Sequence, residues 1–176
     1  YCGPSPCRGG ERMRKVVVLG CPGAGKSTFA RRLRDASGIP LYYLDMLWHN
    51  PDRTTCSPER FDAELDKVLA KDCWIMDGNY QRTAERRLAA CDTAFLLDFP
   101  LELCLAGAEA RIGKKREDMP WVETVFDAEF RQWILDFPQT KLPELYRLLE
   151  RYREGREIVV FRSRMEMERY LNVLTG

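Results

Sequence analysis

The chain of 176 residues has one histidine, no Cys-x-x-Cys pair among its seven cysteines, and no surplus of either charge: 28 basic side chains face 27 acidic ones, for a formal net charge of +1. Each shortage excludes something. Near-neutral charge argues against a protein that coats nucleic acid, because gripping a phosphate backbone calls for a basic excess. An odd set of scattered cysteines indicates neither a disulfide framework nor a zinc site, and reduced thiols in a cytoplasmic protein are the simplest account. No apolar run approaches the ~18 to 20 residues that a membrane-spanning helix requires. No internal repeat is visible. What remains is a chain of one-domain length whose 45% hydrophobic content suffices for a single buried core.

One segment carries chemistry on its face. Gly20-Cys21-Pro22-Gly23-Ala24-Gly25-Lys26-Ser27 is a complete G-x-x-x-x-G-K-[ST] phosphate-binding loop. Its glycines free the backbone to curl so that successive N–H groups aim at phosphate oxygens, while Lys26 brings a full positive charge and Ser27 a hydroxyl for Mg²⁺. Chance alone produces such a string in roughly one chain in a hundred or fewer. The flanks decide in its favour. Lys15 to Leu19 is a β-branched apolar run of the kind buried on both faces of a parallel sheet, and Ser27 to Arg34 continues as a helix with Phe29 and Leu33 on one face. The loop implies ATP with Mg²⁺, contacted by Pro22, Gly23, Ala24, Gly25, Lys26, Ser27 and Thr28. Cys21, inside the loop, reads as an oxidation-sensitive thiol or, more simply, as a tolerated side chain pointing away from phosphate.

Residues 1–12 lack apolar periodicity and are expected to be a flexible extension, with Met13 as the natural start and residues 13–176 as one domain. Further strands are expected at Leu41 to Leu44, Cys73 to Met76, Thr93 to Leu97 and Glu157 to Phe161. Helices are expected after Ser57-Pro58, over Gln81 to Ala90, across most of Leu101 to Arg153, and after the capping-box pattern Ser163 to Glu166. Strands alternating with helices predict a parallel α/β sheet with helices on both faces, and ligands in such sheets lie beyond the carboxyl ends of the strands. The phosphate loop, Asp45, Asp77, Asp98 and Arg162 all fall on that edge.

Several motifs together resemble those of the adenylate-kinase-like P-loop kinases, and among these the DNA topology modulation protein family: the loop itself, Leu44 to Trp48, Trp74 to Tyr80, Leu96 to Pro100, Arg116 to Met119, and Phe161 to Ser163. The resemblance implies a five-stranded sheet of order 2-3-1-4-5, a small helical lid near residues 106–120, and ATP as phosphoryl donor. It also has limits. Where adenylate kinases read D-G-F-P-R-T, this chain reads Asp77-Gly78-Asn79-Tyr80-Gln81-Arg82-Thr83, and Asp45 is closer to the arrangement in kinases of small hydroxylated metabolites.

Phosphoryl transfer asks for positioning and positive charge around the moving group. Lys26, Asp45 and Arg116 are the catalytic candidates: phosphate charge, proton acceptor for a hydroxyl, and a lid arginine, with Arg111 a lesser one. Ser27 and Asp77 are the metal candidates, with Asp98 second and also read as a helix N-cap. Asp45, Tyr80 and Arg82 should bind the acceptor, and Arg162 is read as stacking on the base of ATP or, equally, as forming a surface salt bridge. His49 is read as a polar loop residue, and the aromatic spacing from Phe126 to Phe137 as core packing or partner contact. The expected function is an ATP- and Mg²⁺-dependent kinase of a small acceptor. Its rivals are a nucleotide-gated regulatory protein that binds DNA or a protein, and a nucleoside monophosphate kinase.

Overall fold

The computed structural model describes residues 13–176, and the extension expected over residues 1–12 lies outside the described residues. Five parallel strands, β1 (Lys15–Gly20), β2 (Leu41–Tyr43), β3 (Trp74–Asp77), β4 (Thr93–Leu97) and β5 (Glu157–Phe161), form one sheet in the order β2-β3-β1-β4-β5. The fold class and strand order are those expected. β1 occupies the centre because its Val16 to Leu19 run needs cover on both faces, and all four residues are fully buried. Its register pairs Val18 with Asp77 on one side and Gly20 with Leu97 on the other, which sets the phosphate loop beside the ends of β3 and β4.

Eight helices wrap this sheet among the described residues: α1 (Lys26–Ser37), α2 (Leu44–Trp48), α3 (Pro58–Leu69), α4 (Gln81–Ala90), α5 (Leu101–Ala110), α6 (Ala128–Thr140), α7 (Leu142–Arg151) and α8 (Arg164–Thr175). The caps follow local chemistry. Ser57 Oγ accepts the Arg60 N–H at 3.2 Å with Pro58 in the first turn of α3, and Ser163 Oγ accepts the Glu166 N–H at 3.2 Å. The reciprocal half of that second box is displaced, for the Glu166 carboxylate accepts from Arg162 N–H rather than from Ser163.

Three expectations need adjustment. The second strand ends at Tyr43 and Leu44 opens α2, so Asp45 sits in the first turn of a short helix instead of closing a strand. The segment 106–120 is helical only to Ala110; turns and loop carry the chain on to α6. Cys21, Cys56, Cys91 and Cys104 are buried free thiols, whereas Cys73 takes part in a disulfide, so wholly reduced thiols are not what is found. No helix among the described residues is long and apolar enough to cross a membrane.

Candidate active site

The phosphate loop is held from three directions. Within it, Cys21 O accepts the Ala24 N–H at 3.1 Å and the Lys26 ammonium at 3.4 Å. From β3, the Asn79 amide makes a two-way clamp on Gly20, donating to its carbonyl at 2.7 Å and accepting its N–H at 3.0 Å. From the far side α5 presses backbone against backbone: a Cβ on Gly23 would overlap Cys104 O, and one on Gly107 would overlap Gly23 O. Gly23 also has φ +82°, so both its conformation and its contact call for glycine. Gly107 lies in a helix, where alanine ordinarily gains about 1 kcal/mol. We expect the opposite sign for Gly107→Ala, a loss of about 1–3 kcal/mol in urea unfolding, because the methyl group must displace the loop. A gain in stability would refute the contact.

Two cavities meet at this loop. One, about 340 Å³, lies over Gly23 to Thr28 and is walled by Arg31, Lys114 and Arg164. The other, about 520 Å³, runs from Pro22 past Asp45 and Tyr80 to an aromatic wall on α6 formed by Phe130, Trp133 and Phe137. Lys26, Ser27, Arg111, Arg116 and Asp118 line both. A group passing between the cavities therefore crosses a ring of three cations. Arg116 is held by Asp118 at 3.6 Å and Glu123 at 3.5 Å. Arg111 is freer: its Nε is buried without a partner among the described residues, and burial first, then neighbouring Arg116, pulls its pKa below the usual value.

Asp77 closes the floor. Its Oδ2 accepts the Ser27 hydroxyl at 2.5 Å, and its Oδ1 is buried with no partner among the described residues. Burial pushes its carboxyl from the ordinary 3.8 up to about 6, against the opposing pull of Lys26 and the Ser27 hydrogen bond. Asp45 accepts the Tyr80 hydroxyl at 2.6 Å, and burial together with that carboxylate raises the Tyr80 pKa, which keeps Tyr80 a donor. Tyr80 itself has φ 33°, a left-handed conformation that is costly without a Cβ-free residue.

Arg87 explains how that conformation is held. Fully buried on α4, its guanidinium donates to the carbonyls of Gly78 at 3.0 Å, Tyr80 at 3.2 Å, and Asn79. Burial pulls its pKa down to about 10, so it stays charged at neutral pH. Nothing in the sequence marks Arg87 out, since its position in an arginine-rich helix reads as a solvated face; only its burial under the Gly78 to Tyr80 loop makes it structural.

The remaining candidates separate. Pro22, Gly23, Gly25, Lys26, Ser27 and Thr28 line the cavities, while Ala24 is packed inside the loop. Arg82 reaches the rim of the larger cavity but is engaged with Asp62 of α3 at 2.8 and 3.1 Å, and more than half exposed. Arg162 is exposed, its backbone N–H donating to Glu166 and its side chain lying beside Tyr146; Arg164, two residues further on, lines the phosphate-side cavity in its place. Asp98 lies away from Ser27, accepting the Tyr146 hydroxyl at 2.5 Å, and the cap position of α5 belongs to Pro100. His49, expected as a polar loop residue, and Phe130, Trp133 and Phe137 of α6, expected as core packing or partner contact, line the larger cavity.

Solved structures share this architecture. A shikimate kinase from Acinetobacter baumannii in complex with shikimate superposes with a TM-score of 0.54 at 18% identity, covering 93% of this chain and 94% of that one. A gluconokinase from Sinorhizobium meliloti 1021 gives 0.53 at 13% identity, covering 93% and 92%. The fold is that of the P-loop kinases. In sequence, an adenylate kinase of Magnetococcus marinus is 36% identical over 109 residues, 60% of this chain and 50% of that protein, and one of Thermotoga neapolitana is 28% identical over 88 residues, 49% and 39% respectively. The chain thus spans half or less of the length of these curated relatives. No protein-family model matches. The adenylate-kinase-like side of the resemblance has support in these relatives; the DNA topology modulation side rests on motifs alone.

Proposed function

We propose that the chain is an ATP- and Mg²⁺-dependent kinase that moves the γ-phosphoryl group onto a hydroxyl of a small molecule. The observation that carries this reading is the junction of two cavities at Lys26, Ser27, Arg111 and Arg116, with a carboxylate, Asp45, on the side away from the phosphate loop. The smaller cavity suits the polyphosphate: the amides of Gly23 to Thr28 and the start of α1 favour negative charge. Lys26 and the two arginines then lie where charge builds on the transferring group. Lys114 and Arg116 belong to a segment, residues 106–120, that covers the junction and excludes water.

On the acceptor side, a phosphate ester would meet the Asp45 carboxylate with like charge, whereas a hydroxyl would donate to it and give up its proton there as the bond to phosphorus forms. That favours a hydroxylated metabolite over a nucleoside monophosphate. The similarity to shikimate and gluconate kinases, both of which are named for hydroxylated acids, fits the same reading. Residues Ser27 and Asp77 fit Mg²⁺, since the orphaned Asp77 Oδ1 points to a missing positive partner. Mg²⁺ bound there would neutralise charge on the β- and γ-phosphate oxygens.

A screen of ATP consumption over hydroxylated acids, sugars, nucleosides and nucleoside monophosphates tests the proposal. Turnover with a hydroxyl acceptor is expected; turnover confined to AMP, CMP, UMP or dTMP would replace it with the nucleotide-kinase reading. Salt-sensitive DNA retention without turnover would favour the regulatory one.

The Asp77 carboxyl offers a second check. Because its folded pKa is raised, the protein without Mg²⁺ has this group's favourable contribution below about pH 4, and loses it as pH rises through about 6. The span corresponds to roughly 3 kcal/mol. Asp77→Asn keeps an oxygen for the Ser27 hydroxyl and removes the buried charge. It should therefore melt higher than the wild type at pH 7.5 without Mg²⁺, with the difference gone near pH 4, while Mg²⁺ no longer strengthens nucleotide binding. Equal melting at both pH values would show that the carboxylate is not strained by burial.

A further inference from the structure

Cys21, in the phosphate loop, and Cys104, on α5, are free thiols that the kinase reading does not use. They face each other across the loop–α5 seam. Both line one cavity of about 330 Å³, together with Asp98 and Leu101, so a small oxidant has room beside them although the side chains are only 7% and 1% exposed. The seam is tight, with the Gly23 backbone lying against Cys104 O and the Gly107 backbone against Gly23 O. The thiols interact directly. Cys21, followed by the more distant Lys26 and Arg164 cations, holds the Cys104 thiol below its ordinary pKa, while Cys104 and burial push that of Cys21 up. In such a pair the thiol with the lowered pKa is the one to be oxidised first, and its neighbour is placed to resolve it.

We propose that Cys21 and Cys104 form an oxidative modification site, at which a peroxide converts the two thiols into a disulfide that pins the phosphate loop to α5 and shuts the nucleotide site. The inference rests on the nucleotide-binding reading of the loop. The Cys104 thiolate attacks one peroxide oxygen, the O–O bond breaks, and hydroxide leaves and takes up the proton that Cys104 had released. The Cys21 sulfur then attacks the resulting sulfenic acid, an S–S bond replaces the S–O bond, and water leaves with the Cys21 proton. Two thiols are oxidised by two electrons and one peroxide is reduced to two waters.

The consequence for the loop follows from its hydrogen bonds. A disulfide holds its sulfurs about 2.05 Å apart, closer than two thiols in contact, so Cys21 must be drawn toward α5. Its carbonyl is the acceptor for both Ala24 N–H and the Lys26 ammonium. Drawing it aside therefore disturbs the turn and the lysine together.

The test uses the full chain. Hydrogen peroxide is titrated into native protein, free thiols are blocked, and peptides are mapped by mass spectrometry without reduction, while Mg-ATP binding is followed by calorimetry before and after treatment. The expected result is a Cys21–Cys104 linked peptide pair two hydrogens lighter than its parts, with Mg-ATP affinity at least tenfold weaker and restored by dithiothreitol. Cys104→Ser, with Cys104→Ala as a second variant, should bind Mg-ATP within twofold of the wild type and lose no affinity on oxidation. Absence of that linked pair in folded, peroxide-treated protein overturns the proposal, and so does a linked pair whose affinity is unchanged. If reduced wild-type protein gives no heat with Mg-ATP, the nucleotide reading fails and the shut-off with it, while the peptide map still decides separately whether the disulfide forms.

Discussion

Lys26→Ala should give a folded protein whose phosphoryl transfer is slower by roughly 10²- to 10³-fold or more. The side chain lies where the two cavities join, and among the described residues its ammonium donates to the Cys21 carbonyl alone, at 3.4 Å. It is only partly buried, so the core does not depend on it. What is lost is a full charge beside the group that gains charge on the way to the transition state, in a pocket where Arg111 and Arg116 cannot both replace it: Arg116 is already committed to Asp118 and Glu123. Circular dichroism melting should move little, while ATP consumption with the acceptor found by screening collapses. Unchanged turnover would remove the junction from the mechanism, and a collapsed melt would make Lys26 a structural residue.

Asp45→Asn should lower transfer by roughly 10²- to 10⁴-fold while leaving Mg-ATP affinity nearly unchanged. The separation is the point of the experiment. Asp45 lines the larger cavity and takes no part in lining the phosphate-side one. Asparagine keeps an oxygen to accept the Tyr80 hydroxyl, so the Gly78 to Tyr80 loop, already held by Arg87, retains its shape. Only the proton acceptor disappears. A variant that fails to fold would show that Asp45 serves as a helix-start residue of α2; one that loses Mg-ATP affinity would place Asp45 in the metal's surroundings.

Much of this was legible before the fold was known. The bounds of β4, β5 and α4 fall where they are expected, at Thr93 to Leu97, Glu157 to Phe161 and Gln81 to Ala90, because these are segments whose local preference and burial agree. The phosphate loop was legible for a different reason: its backbone geometry is demanded by glycines at fixed spacing, and spacing survives in a string of letters. Other elements hid. α2 was missed because a helix of five residues carries too little periodicity to distinguish it from the end of a strand. The α6 aromatics read as core packing or partner contact, since three-and-four spacing reports that a face is apolar and not what lies against it; here that face borders a cavity, and Trp133 is more than a third exposed. Arg82 is expected to bind the acceptor and does reach the cavity rim, but α3 brings Asp62 within 2.8 Å of it.

By itself, the sequence determined the strand–loop–helix at the amino end, the alternation that forces a parallel sheet, and hence the edge on which a ligand must lie. These depend on neighbours in the chain, where periodicity and glycine placement act directly. Tertiary structure alone decided which charges meet: that Asp77 loses its solvent and keeps one oxygen unpaired, that Arg87 turns inward to hold three carbonyls, that Arg164 and not Arg162 reaches the phosphate side, and that Cys21 and Cys104 come face to face. The reason is physical. Electrostatic and thiol chemistry depend on distance and desolvation, and both are created when segments far apart in the chain pack together.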